Sequence, residues 1–293
     1  MNRPILRRPG ARVFYVDHAS TNELRQKYAD DSAIPTRDLV EIDVVWSSGT
    51  LREALRAAIP GGDKWFRFVI ASHVIEHVPD LIWWLGELRS VMSSGAALRL
   101  IVPDRRFTMD IARRETVLAD VLAANVIRAR SPQPRDVVDY YCNYTEVDRD
   151  EAWRGLRPID AGYDTSRAAL AISLARSAME GAYQDVHCWV FTPASFVRLM
   201  HALARLGMIW LECKRVYATD EGDLDFFVHI EAADDMPAII ASWRDAQFEL
   251  DAAMQERPFL PQDDLAAHRA VIGRQAQRIA TLENQMRHNI ALS

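Results

Sequence analysis

The residues best suited to chemistry in this sequence are histidines and carboxylates that follow short apolar runs. Residues 73–77 read His-Val-Ile-Glu-His, the pattern of an inverted zinc-peptidase motif. That motif needs a continuous helix, so that both imidazoles project from one face. An apolar, β-type run precedes His73 and Pro79 follows the motif, and both features disfavour such a helix. We therefore keep a metallohydrolase as an alternative and expect no metal site.

A second pattern that could hold a divalent metal is the Asp-x-Asp pair of Asp223 and Asp225. Such a pair would fit a nucleotide-sugar glycosyltransferase. Here it stands at a turn that enters a hydrophobic strand, and it comes late in the chain, whereas the usual position follows an early nucleotide-binding region. A glycosyltransferase is therefore a further alternative only.

Composition limits the class of protein. The chain has 293 residues, of which 49% are hydrophobic and 26% charged, enough to bury a globular core. A net charge of -6 gives no basic face for DNA or RNA. Three widely spaced cysteines fit neither a disulfide framework nor a paired-cysteine zinc site, so we expect a reducing, cytoplasmic setting. We also expect no signal peptide in the basic start of the chain, residues 1–8, and no membrane span.

The elements that must position these residues alternate between short apolar runs and helical patterns, as in a parallel sheet covered by helices. Strands are predicted at 13–16, 39–46, 66–71, 96–102, 209–217 and 224–230. Helices are predicted from Ser20, over 51–58, from Pro79 and from Thr192. The alternation stops between residues 105 and 189, which read as a helical insertion acting as a lid.

The last part of the chain has a different periodicity. Apolar residues recur every seven positions at Leu265, Ile272, Ile279 and Met286. This spacing favours either a self-associating coiled coil or a solitary amphipathic helix, because most of the intervening seam positions are polar. We therefore divide the chain into the N-terminal part of an α/β domain (1–104), the insertion (105–189), the C-terminal part of the α/β domain (190–258) and this final helix (259–293).

One segment resembles a known family. Residues 66–104, FRFVIASHVIEHVPDLIWWLGELRSVMSSGAALRLIVPD, are similar to the strand, turn, helix, turn, strand block of class I S-adenosylmethionine (SAM) dependent methyltransferases. The similarity is greatest to the branch around the ubiquinone and menaquinone methyltransferases. Residues 188–208, CWVFTPASFVRLMHALARLGM, also resemble the segment before that family's last two strands.

The resemblance implies a Rossmann-like α/β sheet and transfer of a methyl group from SAM to a small-molecule or glycan hydroxyl. Few polar residues are then required, because the cofactor carries the reactivity and the protein mainly aligns the reactants. In that scheme the cofactor-binding residues are Asp17 at the ribose, Asp43 at the adenine, and Ser72 and His73 at the amino-acid end. The candidate catalytic residues around the acceptor are His77, His187 and Asp104. Solvated acids at Asp17 and Asp43, and a structural hydrogen bond at His77, are the simpler alternatives.

The sequence also departs from the family. Residues 13–20, VFYVDHAS, contain no glycine, and their spacing fits the family's second strand, so the central first strand and its glycine loop are missing. Three explanations are open for the missing strand. The two flanking strands could pair directly with each other, a strand from elsewhere could take the empty place, or the sequence could be a shortened gene product. We favour the last. A non-catalytic methyltransferase-like scaffold is the main alternative to an enzyme.

Overall fold

The computed structural model describes residues 12–29, 36–59, 66–155 and 164–256. These residues have a mixed α/β architecture. The strands are β1 (Val16–Asp17), β2 (Val44–Val45), β3 (Phe66–Ser72), β4 (Met92–Pro103), β5 (Leu211–Tyr217) and β6 (Asp225–Ala232). The helices are α1 (Thr21–Lys27), α2 (Leu51–Ala58), α3 (Leu81–Val91), α4 (Leu118–Val126), α5 (Pro134–Asn143), α6 (Arg149–Trp153), α7 (Thr165–Met179), α8 (Pro193–Arg205) and α9 (Met236–Glu256), with a 3-10 turn at Thr36–Asp38.

The strands form two hydrogen-bonded sheets in the described part of the chain. One consists of β1 and β2, which are parallel, and the other has the order β3-β4-β6-β5. In the larger sheet β3 and β4 are parallel, whereas β6 is antiparallel to both β4 and β5. The late strands thus lie at the far edge of the sheet, as the sequence predicted.

The prediction of a single sheet needs correction, because no ladder joins the two sheets within the described residues. One edge of β3 therefore has no partner strand there. The contact between these regions is made instead by side chains, such as the Phe14 and Phe66 rings, whose centroids are 6.1 Å apart. The physical reason is that no described segment supplies the central strand that the resemblance places between them.

Strand β4 is longer than its sequence pattern indicated. The prediction treated residues 93–95 as a turn, but the strand begins at Met92, which pairs with Phe66. The register then shifts, so that Phe68 faces Ala97. Gly95 lies within this irregularity with φ of 72°, a left-handed conformation that glycine adopts without a steric penalty.

Several helices begin where the sequence indicated, because side chains cap their first amides. Ser20 starts α1 through a reciprocal capping box with Glu23, and Thr50 does the same for α2 with Glu53. Thr192 caps α8, which begins at Pro193. Such boxes satisfy amides that have no partner inside the helix, so a local signal suffices to set these boundaries.

The main core lies between the larger sheet and its helices. Helix α3 begins at Leu81 rather than at the predicted Pro79, because Asp80 caps it by accepting from the amide of Trp83. The helix buries one stripe of apolar side chains. Helices α8 and α9 pack against each other, and α9 also packs on β5. Trp243 of α9 is fully buried and donates its indole N–H to the Leu211 carbonyl at 2.8 Å.

The region from 105 to 189 contains helices α4 to α7, in keeping with the helical pattern of its sequence. It has a small core of its own, formed by Val137, Ala175, Ala178 and Val186, with Tyr140 and Tyr141 packed against it. Residues 1–8 and the seven-residue repeat of 259–293 lie outside the described residues. None of the described helices is long and apolar enough to cross a membrane.

We predict that Trp243→Phe lowers the free energy of unfolding by about 2 kcal/mol or more, because it removes a buried hydrogen bond and leaves a void. Trp210→Phe is the matched control, since Trp210 is 45% exposed, and it should change stability by less than about 0.5 kcal/mol. Urea unfolding followed by circular dichroism measures both. Equal effects would contradict the assigned role of Trp243.

A second prediction concerns Asp136 in α5, where burial raises the pKa of the carboxyl to about 6. A raised folded-state pKa means that the folded state binds this proton more tightly than the unfolded state. The protonated Asp136 carboxyl therefore stabilises the fold fully below about pH 4, and this stabilisation is lost as the pH rises to about 6. Asp136→Asn should therefore gain stability relative to the parent over this window, with no further gain above about pH 7. Thermal unfolding of both proteins between pH 4 and 8 tests this, and a difference independent of pH would refute it.

Candidate functional site

The candidate site is built on the turn between β3 and α3, which contains the His-Val-Ile-Glu-His segment. Strand β3 ends at Ser72, residues 75–77 form a turn, and α3 begins only at Leu81. The continuous helix of a zinc-peptidase motif is therefore not formed. The turn instead places its two histidines and one glutamate at the carboxyl end of β3.

His73 leaves the strand in a strained conformation, with φ of 51°, uncommon for a residue with a side chain. Its Nε2 lies 3.0 Å from Asp225 at the start of β6, and its Nδ1 lies 3.5 Å from Glu76. These two carboxylates raise the pKa of His73 to about 10. His73 is thus a cation that bridges the turn to β6.

A second segment packs directly on this turn and comes from the end of the insertion. The amides of Cys188 and Trp189 both donate to the carbonyl oxygen of Glu76, at 2.7 and 3.2 Å. The Trp189 indole N–H donates to the Val78 carbonyl at 2.6 Å. The segment that follows His187 thus packs directly on the strand-end turn, and the buried Trp189 holds the two segments together.

The contact brings His77 and His187 together, with ring centroids 4.8 Å apart in an edge-to-face arrangement. Nδ1 of His187 lies 2.6 Å from Asp110. Nδ1 of His77 lies 3.2 Å both from the Val186 carbonyl and from Asp185. Each imidazole thus has its Nδ1 occupied by an acceptor, which leaves Nε2 as its free ligand or base atom.

The charges around these rings are strongly coupled. Burial opposes ionisation of Asp110, but its contacts with His187 and Arg113 lower its pKa below the usual value. Burial likewise opposes protonation of His77, but Asp185 and Glu76 raise its pKa. Asp110 and Asp185, whose pKa values are lowered by these contacts, therefore remain ionised and accept from Nδ1 of His187 and of His77.

Behind His187 lies a buried ion network. The Arg113 side chain is 2% exposed and contacts Asp110 and Asp139, each at 2.8 Å. The ring of Tyr140 lies against both the Arg113 guanidinium and His187. One guanidinium therefore neutralises two carboxylates, one of which orients His187.

Glu76 differs from the other charged groups of the site. Its side chain is 1% exposed, and neither carboxylate oxygen has a hydrogen-bond partner. One potential ligand atom each from Glu76, His77 and His187 lies within 4.8 Å of the others. The described residues thus bring together three groups that could hold a cation, although the sequence led us to expect no metal site.

The other predicted residues are placed as follows. Asp17 ends β1, and its carboxylate contacts His18 Nδ1 at 2.8 Å and the Ala19 amide. Asp43 accepts from the Tyr15 amide at 2.7 Å and so links the neighbourhoods of β1 and β2.

Asp104 directly follows β4 and is fully buried, where it accepts a bidentate hydrogen bond from Arg106 and one from Thr219. In the Asp-x-Asp pair, the Asp225 side chain contacts His73. Asp223 lies in a turn, and its backbone carbonyl accepts a hydrogen bond from the indole N–H of Trp153.

Sequence reasoning missed Asp110, Arg113, Asp139 and Asp185, which orient the histidines. It also missed the importance of Glu76, which it considered only as part of a peptidase pattern. Apart from the Asp110–Arg113 pair, which is three positions apart, the partners of the first four residues lie far along the chain, so no local signal marks them. A cavity of about 310 Å³ between α3 and the start of β5 is lined by none of the predicted site residues.

Comparison with known proteins finds no match: no family model, no curated protein and no solved structure corresponds to this chain. The function therefore has to be argued from the geometry of its own residues.

We predict that Arg113→Gln lowers the free energy of unfolding by roughly 3–5 kcal/mol, because it leaves two carboxylates without their buried cation. The neighbouring Arg114 provides the matched control, since it is 48% exposed and pairs with Asp120 at the surface. Arg114→Gln should cost about 0–1 kcal/mol. Chemical denaturation of both variants measures the difference, and similar values would show that the buried network does not stabilise the fold.

Proposed function

We propose that the chain is a Rossmann-like α/β domain that transfers a methyl group from SAM to a hydroxyl of a small molecule or glycan. The observation that carries this proposal is the direction of the strands. The parallel pairs β1/β2 and β3/β4 bear Asp17, Ser72 and Asp104 at or just after their carboxyl ends. In open α/β sheets, ligands bind outside those ends.

The ribose side of the cofactor has a suitable group in Asp17. Its side chain is 17% exposed, and although burial opposes ionisation, His18 lowers its pKa. An ionised carboxylate at a strand end can accept from both ribose hydroxyls. The role of Asp43 at the adenine is less direct, since one of its oxygens already accepts from Tyr15.

The amino-acid end of the cofactor is not matched by a glycine loop. In the family that loop follows the first strand, and no described segment supplies either this strand or its loop. The described residues therefore fit only part of SAM, which would supply an activated methyl group when bound. We expect weak SAM binding on this basis.

The acceptor side is more complete. His187 donates from Nδ1 to the ionised Asp110, so its Nε2 is free to take the proton of a hydroxyl. His77 has its Nδ1 held in the same way and faces the same space. Asp104 acts at a distance, by fixing the Arg106 guanidinium.

The same proposal places the protein in the cytoplasm, since all three cysteines are free. A non-catalytic scaffold of the same architecture remains the second candidate, and the absent glycine loop is the observation that favours it.

Titration of the full chain with SAM, followed by saturation-transfer NMR, tests the proposal. We expect saturable binding with a Kd above about 100 µM, equivalent to roughly -5.5 kcal/mol, and its loss in Asp17→Asn. Asp38→Asn is the control, because Asp38 is an exposed acid outside the strand ends.

Three other outcomes are informative. Absence of saturable binding would overturn the enzymatic proposal in favour of the scaffold. Equal loss in both variants would remove Asp17 from the cofactor site. Low-micromolar affinity would show that another segment replaces the missing loop.

A further inference from the structure

We propose that Glu76, His77 and His187 form a binding site for a divalent transition-metal ion, with Zn²⁺ the best match. This site goes beyond methyl transfer and does not depend on it, because the ion would be bound by the protein alone. Three observations support it: a buried carboxylate without hydrogen bonds, two oriented imidazoles, and their convergence within 4.8 Å.

The first observation is the environment of Glu76. Its carboxylate is almost completely removed from solvent, and both oxygens lack hydrogen-bond partners. The nearest ring nitrogens are His73 Nδ1 at 3.5 Å and His77 Nε2 at 3.9 Å, and neither forms a hydrogen bond with the carboxylate. Attraction to His73 offsets only part of the cost of burying a carboxylate that has no hydrogen bonds. A metal ion between Glu76 and the imidazoles would supply the rest of that compensation.

The second observation is the orientation of the two imidazoles. Metal-bound histidines usually donate their other ring N–H to a carboxylate or a backbone carbonyl, which fixes the tautomer and the ring. Asp110 holds Nδ1 of His187 in this way, and Asp185 together with the Val186 carbonyl holds Nδ1 of His77. Both Nε2 atoms are thereby left for coordination.

The third observation is the geometry and type of the ligands. Ligand atoms around a tetrahedral Zn²⁺ lie about 3.3 Å apart, given metal–ligand distances of about 2.0–2.2 Å. The ligand atoms of Glu76, His77 and His187 already lie within 4.8 Å of one another, so small side-chain rotations would bring them to this spacing. Two imidazoles and one carboxylate favour Zn²⁺ and its neighbours over Mg²⁺ or Ca²⁺, which prefer oxygen ligands.

Three protein ligands leave a fourth position for water or for a hydroxyl of a bound substrate, as in catalytic zinc sites. His77 is 32% exposed at its side chain, so this position has a route to solvent. With the ion bound, His77 and His187 would be ligands rather than bases, and a hydroxyl at the fourth position would release its proton to solvent more readily, because the ion stabilises the alkoxide.

The full-length, tag-free chain, stripped with a chelator, is titrated with Zn²⁺ against a chromophoric competitor. Co²⁺ is then used to record the visible spectrum of a low-coordinate site. We expect one equivalent to bind and to raise Tm. Glu76→Gln and His187→Ala should each weaken binding by more than about 100-fold, because they remove ligands, whereas Asp185→Asn should weaken it about 10- to 100-fold by releasing His77.

His201→Ala is the matched control, since His201 lies in α8 outside the cluster, and it should bind like the parent. Circular dichroism of the metal-free variants checks that each one folds. Asp185 is 42% exposed, so we expect Asp185→Asn to fold. This variant tests the metal site even if the substitutions of the buried residues prevent folding.

Absence of a stoichiometric equivalent in the parent would overturn the proposal. The proposal would also be overturned if Glu76→Gln and His187→Ala bound Zn²⁺ as tightly as the parent. If these two variants do not fold, undiminished binding by Asp185→Asn would overturn it instead. A loss in His201→Ala equal to that in the ligand variants would do the same. None of these measurements contains SAM, so failure of the methyltransferase proposal leaves this result unaffected, and the reverse also holds.

Discussion

Two backbone amides, those of Cys188 and Trp189, donate to one carbonyl oxygen, that of Glu76. A carbonyl oxygen has two lone pairs, so both bonds can form at once and fix two segments against each other. Trp189 adds a third bond through its indole to Val78. These segments are 111 residues apart in the chain, and the approach of His77 to His187 depends on this junction.

The junction also contains a group of buried charges. Arg113, Asp110 and His187 form a continuous buried chain of ion pairs and hydrogen bonds that orients one imidazole. Buried pairs of this kind are poor evidence of net stabilisation, because desolvation offsets much of the attraction. Their effect here is geometric, since they define which ring nitrogen faces the site. Glu76 lacks hydrogen bonds of this kind, and that contrast is what singles it out as a ligand.

In the methyltransferase proposal, the residues assigned to the acceptor side and those assigned to the cofactor side differ in how well the fold supports them. On the acceptor side, each imidazole is held by a second residue, and an aromatic ring from α5 packs against the network. On the cofactor side, β1 and β2 are two residues each and are joined partly by Asp43 reaching the Tyr15 amide. Because no described strand links them to β3, the cofactor side has less backbone support than the acceptor side.

The sequence by itself determined those features of the fold that depend on residues close together in the chain. Local sequence patterns located α1, α2, α8 and, to within two residues, α3. Pro79 indicated that the His-Val-Ile-Glu-His segment could not continue as a helix. The parallel pairing of the early strands and the outer position of β5 and β6 followed from the alternation of elements. Each of these depends on interactions within a few positions, or on short-range rules of connection.

Only the tertiary structure decided which charged groups meet. The pairing of His187 with Asp110, of His77 with Asp185 and of one guanidinium with two carboxylates joins residues from separate elements. Hydrophobic periodicity carries no information about such partners. The division of the strands into two sheets and the early start of β4 at Met92 were likewise decided by pairing across the fold. The isolation of the Glu76 carboxylate could not be predicted either, because burial without a partner is a property of the whole surrounding structure.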